Sequence, residues 1–151
     1  MTAPVFVDTN VLVYARDSAA GDKQRRAAAW IEHLWKTQEG RLSVQVLTEF
    51  YVTVTARLRP GMTPEAARRD VRAFTAWRPV PVEGSTIEGA WLLQDRYHLA
   101  WWDALIVSAA QAAACRYLIS EDFQAGQDLG GVRIVNPFAT RPEQLTDAEL
   151  E

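Results

Sequence analysis

Cysteine is nearly absent from this 151-residue chain, histidine and lysine are scarce, and no long apolar run occurs. The single cysteine, Cys115, has no partner for an intrachain disulfide and cannot build a thiolate zinc site. Its AAAC setting reads as a small buried helix residue. With only His33 and His98, a histidine-rich metal site does not fit either, and both are read as structural or surface groups. No segment approaches the roughly 18 apolar residues of a membrane span. Asp8 arrives too early, and without a basic leader, for a signal peptide, so the expected location is the cytoplasm, away from membranes. No internal repeat or low-complexity linker is visible. What is present is an ordinary globular composition, 48% hydrophobic and 23% charged, over a length that suits one domain with a real core.

The net charge of −3 argues against nucleic acid only until its distribution is considered. Glu143, Asp147, Glu149 and Glu151 fall in a base-free segment, and without them 16 bases face 15 acids. Setting aside the four acids discussed below leaves 16 against 11, a mildly basic remainder. Fourteen of the bases are arginine, whose planar fork suits phosphate, although arginine richness also follows from genome composition.

Periodicity and punctuation divide the chain into alternating strands and helices. Residues 4–7 read as a buried strand. Residues 22–38 read as a helix with Ala27, Ile31, Leu34 and Trp35 on one face and Gly40 as its stop. A very short strand at 41–43 precedes a helix over 44–58, whose inner face holds Leu47, Phe50, Tyr51, Val54 and Leu58. The RPGMTP turn ends it, and Thr63 is a candidate cap for a helix over 64–76. Residues 79–82 suit an edge strand. Ser85 or Thr86 starts a helix running to Tyr97, and another covers 102–115. Strands at 116–119 and 132–135 complete the pattern. This alternation implies a three-layer α/β/α sandwich around a mostly parallel sheet. The expected domain is 1–137, followed by an acidic C-terminal tail, 138–151.

Four acids stand in apolar contexts: Asp8 in VFVDTNVLVYA, Glu49 in VLTEFY, Asp103 in WWDALI and Asp122 in YLISEDF. Ligands gather at the carboxyl ends of parallel strands. Asp8 and Asp122 both follow strands and should share that edge. Each acid also has an innocent explanation. Asp8 can close an Asx turn, Glu49 can be a solvated helix flank, Asp103 can be a favourable first-turn charge, and Asp122 can be a cap, with Glu121 competing beside it. Taken together, four acids without a lysine or arginine in their contexts call for a cation, because an unpaired buried charge is costly. Two carboxylates about 5 Å apart repel by roughly 3 kcal/mol at an effective dielectric near 20. All-oxygen ligands suit Mg²⁺ or Mn²⁺, ions that activate water for in-line attack on a phosphodiester.

These motifs, in this order, resemble the PIN-domain ribonucleases, and among them most closely the VapC-type toxins of bacterial toxin–antitoxin pairs. The resemblance spans about residues 4–137. It implies metal-dependent endonucleolytic cleavage of RNA, tRNA or rRNA, with Asp8, Glu49, Asp103 and Asp122 as the acidic quartet. Asp8 and Asp103 would be the firmest Mg²⁺ or Mn²⁺ ligands. Glu49 and Asp122 would bind metal or position water, and Thr9 and Asn10 would order the Asp8 loop. It further implies a homodimer neutralised by a cognate antitoxin protein. Of the aromatic residues, Trp30, Trp35 and Trp77 are the candidates for such a partner surface.

Three other readings compete. The phosphatases that use an aspartyl nucleophile need a second Asp where Asn10 stands, and a downstream lysine that is missing. A PIN domain of housekeeping RNA maturation would carry the same acids. A non-catalytic RNA- or protein-binding module would not need them all.

Overall fold

The computed structural model describes residues 3–145. Strand β1 (Val5–Val7) is wholly buried. It lies between β2 (Gly40–Arg41) and β3 (Tyr117–Ile119), parallel to both. Beyond β3 come β5 (Val132–Val135), also parallel, and a two-residue antiparallel edge, β4 (Asp128–Leu129), giving the order β2-β1-β3-β5-β4. The expected mostly parallel sheet and α/β/α layering are therefore present. The chain leaves β1 toward β2 and later returns to β3 on the other side. The carboxyl ends of β1 and β3 thus flank the switch in strand order, where such sheets open a crevice.

Among the described residues six α-helices cover the sheet: α1 (Thr9–Ala15), α2 (Asp22–Thr37), α3 (Val44–Val52), α4 (Pro64–Phe74), α5 (Gly84–Tyr97) and α6 (Trp101–Ala112). Helix α1 packs against α2 and α3, α5 pairs with α6, and α6 lies on β3 and β5. The core includes Phe6, Leu12, Trp30, Phe50, Leu118 and Ile134, each almost fully buried.

Several boundaries differ from the sequence reading for local physical reasons. Helix α2 ends at Gln38, which takes a left-handed φ of 61°, and not at Gly40. Gly40 sits in β2, where an added Cβ would meet the Trp77 ring at 2.6 Å. The helix expected over 44–58 is α only to Val52, then widens into a π turn over Thr53–Arg57 closed by Leu58 N–H donating to Thr53 O at 2.8 Å. Thr63 caps α4 as expected, its Oγ1 accepting from Ala66 N–H at 3.2 Å. Helix α5 is capped by Glu83, reciprocally with Thr86, and neither Ser85 nor Thr86 is its cap. The strand expected at 79–82 reduces to one bridge, Ser43 with Val80. Cys115 is buried but lies just past α6; burial pushes its thiol up to about 12.

From Phe138 to Leu145 the chain folds back on the body. Trp30 Nε1 donates to Pro137 O at 3.1 Å and Thr140 O at 3.0 Å, and Leu145 is buried. The remainder of the acidic segment, 146–151, lies outside the described residues. Trp30 and Trp77 are 1% and 3% exposed, so neither belongs to a partner surface; Trp35 is 38% exposed and rests on Phe74 and Trp77. No helix among the described residues is long and apolar enough to cross a membrane.

Candidate active site

The parallel register of β1 and β3 builds the centre of the site. Val7 pairs with Ile119, so the next residues, Asp8 and Ser120, emerge side by side at the carboxyl edge. Both are buried, at 6% and 0% exposure. Ser120 Oγ donates to Asp8 Oδ2 at 2.8 Å and accepts from Asp122 N–H at 3.0 Å. Asp8 also caps α1, its Oδ1 accepting from Thr9 N–H at 2.7 Å. The segment read as an Asp8 loop is therefore the first turn of a helix, and its Thr9 and Asn10 side chains face the acids.

Asn10 and Thr9 tie the acids together. Asn10 Nδ2 donates to Asp122 Oδ2 at 3.0 Å and to Ser120 Oγ at 3.1 Å, with a longer 3.5 Å contact to Asp8 Oδ2. Thr9 Oγ1 donates to Glu49 Oε2 at 3.0 Å, reaching across to α3. Gln45, one turn earlier on α3, donates through Nε2 to Glu49 Oε1 at 3.0 Å. Asp8, Glu49 and Asp122 thus join one network of neutral donors. Asp103 stands in the first turn of α6, half-buried and outside this network. Its carboxyl still senses the others: burial raises its pKa, and the Asp122 and Glu49 charges raise it further.

Asp8 feels the strongest effect. Burial pushes its pKa up from 3.8 to about 6 against the pull of the Ser120 and Thr9 hydrogen bonds, with the Asp122 and Glu49 charges adding to the rise. Among the described residues no lysine or arginine forms an ion pair with any of the four acids. The lysine and arginine pairs there include Arg16–Asp70, Lys23–Glu121, Arg25–Asp22 and Lys36–Glu32. Glu121 is accordingly spent elsewhere, bonded to Lys23 Nζ at 2.8 Å and Tyr14 Oη at 2.6 Å, with its pKa lowered on balance by these contacts despite burial. That separates it from Asp122.

Among the described residues no three acidic, histidine or cysteine side chains close into a ready-made ion cage. The donor set nevertheless fits a hard divalent cation. It consists of carboxylate oxygens, two of its members have raised pKa values, and among the described residues no cationic side chain forms an ion pair with it. An open groove of about 740 Å³ runs over the site, lined by Thr9, Asn10, Glu49 and Asp122 and extending along α1 and α3 to Thr53 and Arg57.

Sequence reasoning missed Ser120 and Gln45. The first was within reach, because parallel pairing of the VFV and YLI strands sets the residue after each at the same edge. The second shares a helix face with Glu49 at i and i+4.

Residues 5–126 match the PIN domain family, and the chain belongs to it. Its fold is similar to a chain of a toxin–antitoxin complex from Klebsiella pneumoniae, with a TM-score of 0.63 and 20% identity over 89% of this chain and 98% of that one. It is similar to a chain of FitAB bound to the IR36 DNA fragment, with a TM-score of 0.65 and 18% identity over 89% and 95%. It is also similar to Mycobacterium tuberculosis VapC20, described as a sarcin-ricin loop cleaving toxin, with a TM-score of 0.55 and 18% identity over 76% and 86%. No curated protein matches by sequence alone.

Proposed function

We propose that this PIN domain is a Mg²⁺- or Mn²⁺-dependent endoribonuclease acting as the toxin of a toxin–antitoxin pair. One observation carries the reading: a buried carboxylate, Asp8, lies beside Glu49 and Asp122, with Asp103 within electrostatic reach, and no cationic side chain among the described residues pairs with them. Family membership supports hydrolysis of nucleic acid, and the toxin–antitoxin neighbours support the biological role.

In this reading Asp8 and Asp103 are the principal metal ligands, and Glu49 and Asp122 complete the shell or hold the attacking water. The bound ion supplies Lewis acidity at the scissile phosphate and lowers the pKa of water. The protein's own part is orientation. Ser120 and Thr9 N–H fix the Asp8 carboxylate, Asn10 holds Asp122, and Thr9 with Gln45 holds Glu49. Asp8, Glu49 and Asp122 thus enter the reaction with their rotamers set. RNA is the substrate, a cognate antitoxin the protein partner, and the toxin a homodimer in the cytoplasm.

The test is cleavage of total cellular RNA by purified, antitoxin-free protein, with Mg²⁺ or Mn²⁺ against EDTA, beside Asp8→Asn. Discrete metal-dependent fragments, lost in the variant, are expected. Full activity in Asp8→Asn would remove Asp8 from its role. Expression of the wild type alone should arrest growth; harmless overproduction of active enzyme would favour housekeeping RNA maturation.

A further inference from the structure

The groove over the acids has one basic side chain in its lining among the described residues, Arg57, on the π turn that continues α3. Arg57 is exposed, and its guanidinium makes no hydrogen bond or ion pair with any described residue. Other arginines are engaged: Arg16 with Asp70, Arg41 with backbone carbonyls, Arg68 with Tyr51.

The π turn explains how Arg57 comes to face the site. Glu49, Thr53 and Arg57 are spaced at i, i+4 and i+8. In a pure α-helix each such step drifts about 40° around the axis. The wider i→i+5 turn over Thr53–Arg57 rotates less per residue and takes the drift back, so that all three line one groove. Wide turns of this kind recur where a helix must re-aim a side chain at a functional site.

We propose that Arg57 binds a backbone phosphate of the RNA flanking the scissile one, and so positions the strand across the acidic site. This rests on the nuclease reading above. A free guanidinium beside a carboxylate cluster suits a ligand that brings its own negative charge, and a fork of donors matches phosphate oxygens. The groove's acids repel a polyanion until a metal binds, which leaves Arg57 as the groove's fixed attraction for it.

The experiment keeps all four acids, replaces Mg²⁺ with Ca²⁺, an oxygen-bound ion that activates water less, and measures binding of a fluorescent single-stranded RNA oligonucleotide at several salt concentrations. Adding Arg57→Ala should weaken binding about 5- to 20-fold and flatten the slope of log K against log salt by about 0.7, the share of one phosphate contact. Arg57→Lys should keep most of the slope. Arg116→Ala is the control, an equal charge loss at the opposite end of β3. In the active protein, Arg57→Ala should raise KM more than it lowers kcat. An unchanged slope in Arg57→Ala, or an equal loss in Arg116→Ala, overturns the inference. Wild type that binds no RNA at any salt and cleaves none with Mg²⁺ or Mn²⁺ overturns the nuclease reading instead.

Discussion

Asp8 is held by neutral donors in a buried setting that favours its protonated form, and this has a measurable thermodynamic sign. Its folded pKa of about 6 lies above the ordinary 3.8, so the fold binds that proton more tightly than the unfolded chain does. Without metal, the stabilisation from the protonated group is complete below pH 3.8 and is lost as pH rises through 6, a change of about 3 kcal/mol. Metal-free protein in EDTA should therefore melt several degrees lower at pH 7.5 than at pH 5 on account of this group. Mg²⁺ or Mn²⁺ should restore the melting temperature at pH 7.5. Asp8→Asn should lose both the pH-dependent difference and the metal response. It should not be strongly stabilised, because Ser120 Oγ already accepts from Asn10 and Asp122 N–H, and a facing amide adds a third donor. Ser120→Ala should cost about 1–3 kcal/mol by stranding buried polar groups and push the Asp8 transition to higher pH. A melting profile parallel to that of Asp8→Asn in the wild type would refute this account.

Elements were legible where their signals were local. The VFV and YLI strands, the Thr63 cap and the apolar face of α2 follow from alternation, capping chemistry and 3.6-residue spacing. Helix α1 was not assigned, because TNVLVYA has the β-branched content of a strand and is seven residues long. Its start is set by Asp8, whose cap becomes visible only once β1 ends. The π turn escaped notice for a related reason: hydrophobic spacing marks which face is inside, not how many residues complete a turn. Trp30 and Trp77, expected at the surface, fill the interior, while Trp102, on the same helix as buried Ile106 and Ala109, is 62% exposed. Close helix contacts are likewise invisible in sequence. An added Cβ at Gly89 of α5 would meet Ser108 Oγ of α6 at 2.6 Å, and that hydroxyl donates to Thr86 O at 2.7 Å. Gly89→Ala should destabilise by about 1–3 kcal/mol despite alanine's better helix propensity. Adding Ser108→Ala should recover the loss from the glycine substitution, giving a strongly non-additive pair in urea denaturation. Additive effects would show that the contact is not what separates α5 from α6.

At the scale of the whole molecule, charge and apolar surface divide the labour. The carboxylates gather at one sheet edge, where the order of strands β1 and β3 reverses, and the unpaired Arg57 lies along the same groove. The α5–α6 side instead exposes Trp91 at 50%, Leu92 at 72% and Trp102 at 62%, with the Trp91 and Trp101 rings 6.4 Å apart. Large aromatic and aliphatic side chains left in water together mark an association surface. We place the proposed homodimer contact there, in the role that Trp30 and Trp77 cannot fill. Trp102 directly precedes Asp103, so a second copy seated on this face would approach the first turn of α6, which carries that half-buried carboxylate. Leu92→Glu sets a charge at the most exposed point of the face without touching the core or the acids. It should convert a dimer into a monomer by light scattering, with an unchanged circular dichroism spectrum. Undiminished dimer mass in Leu92→Glu at micromolar concentration would move the contact to another face, and a monomeric wild type would remove the homodimer from the proposal.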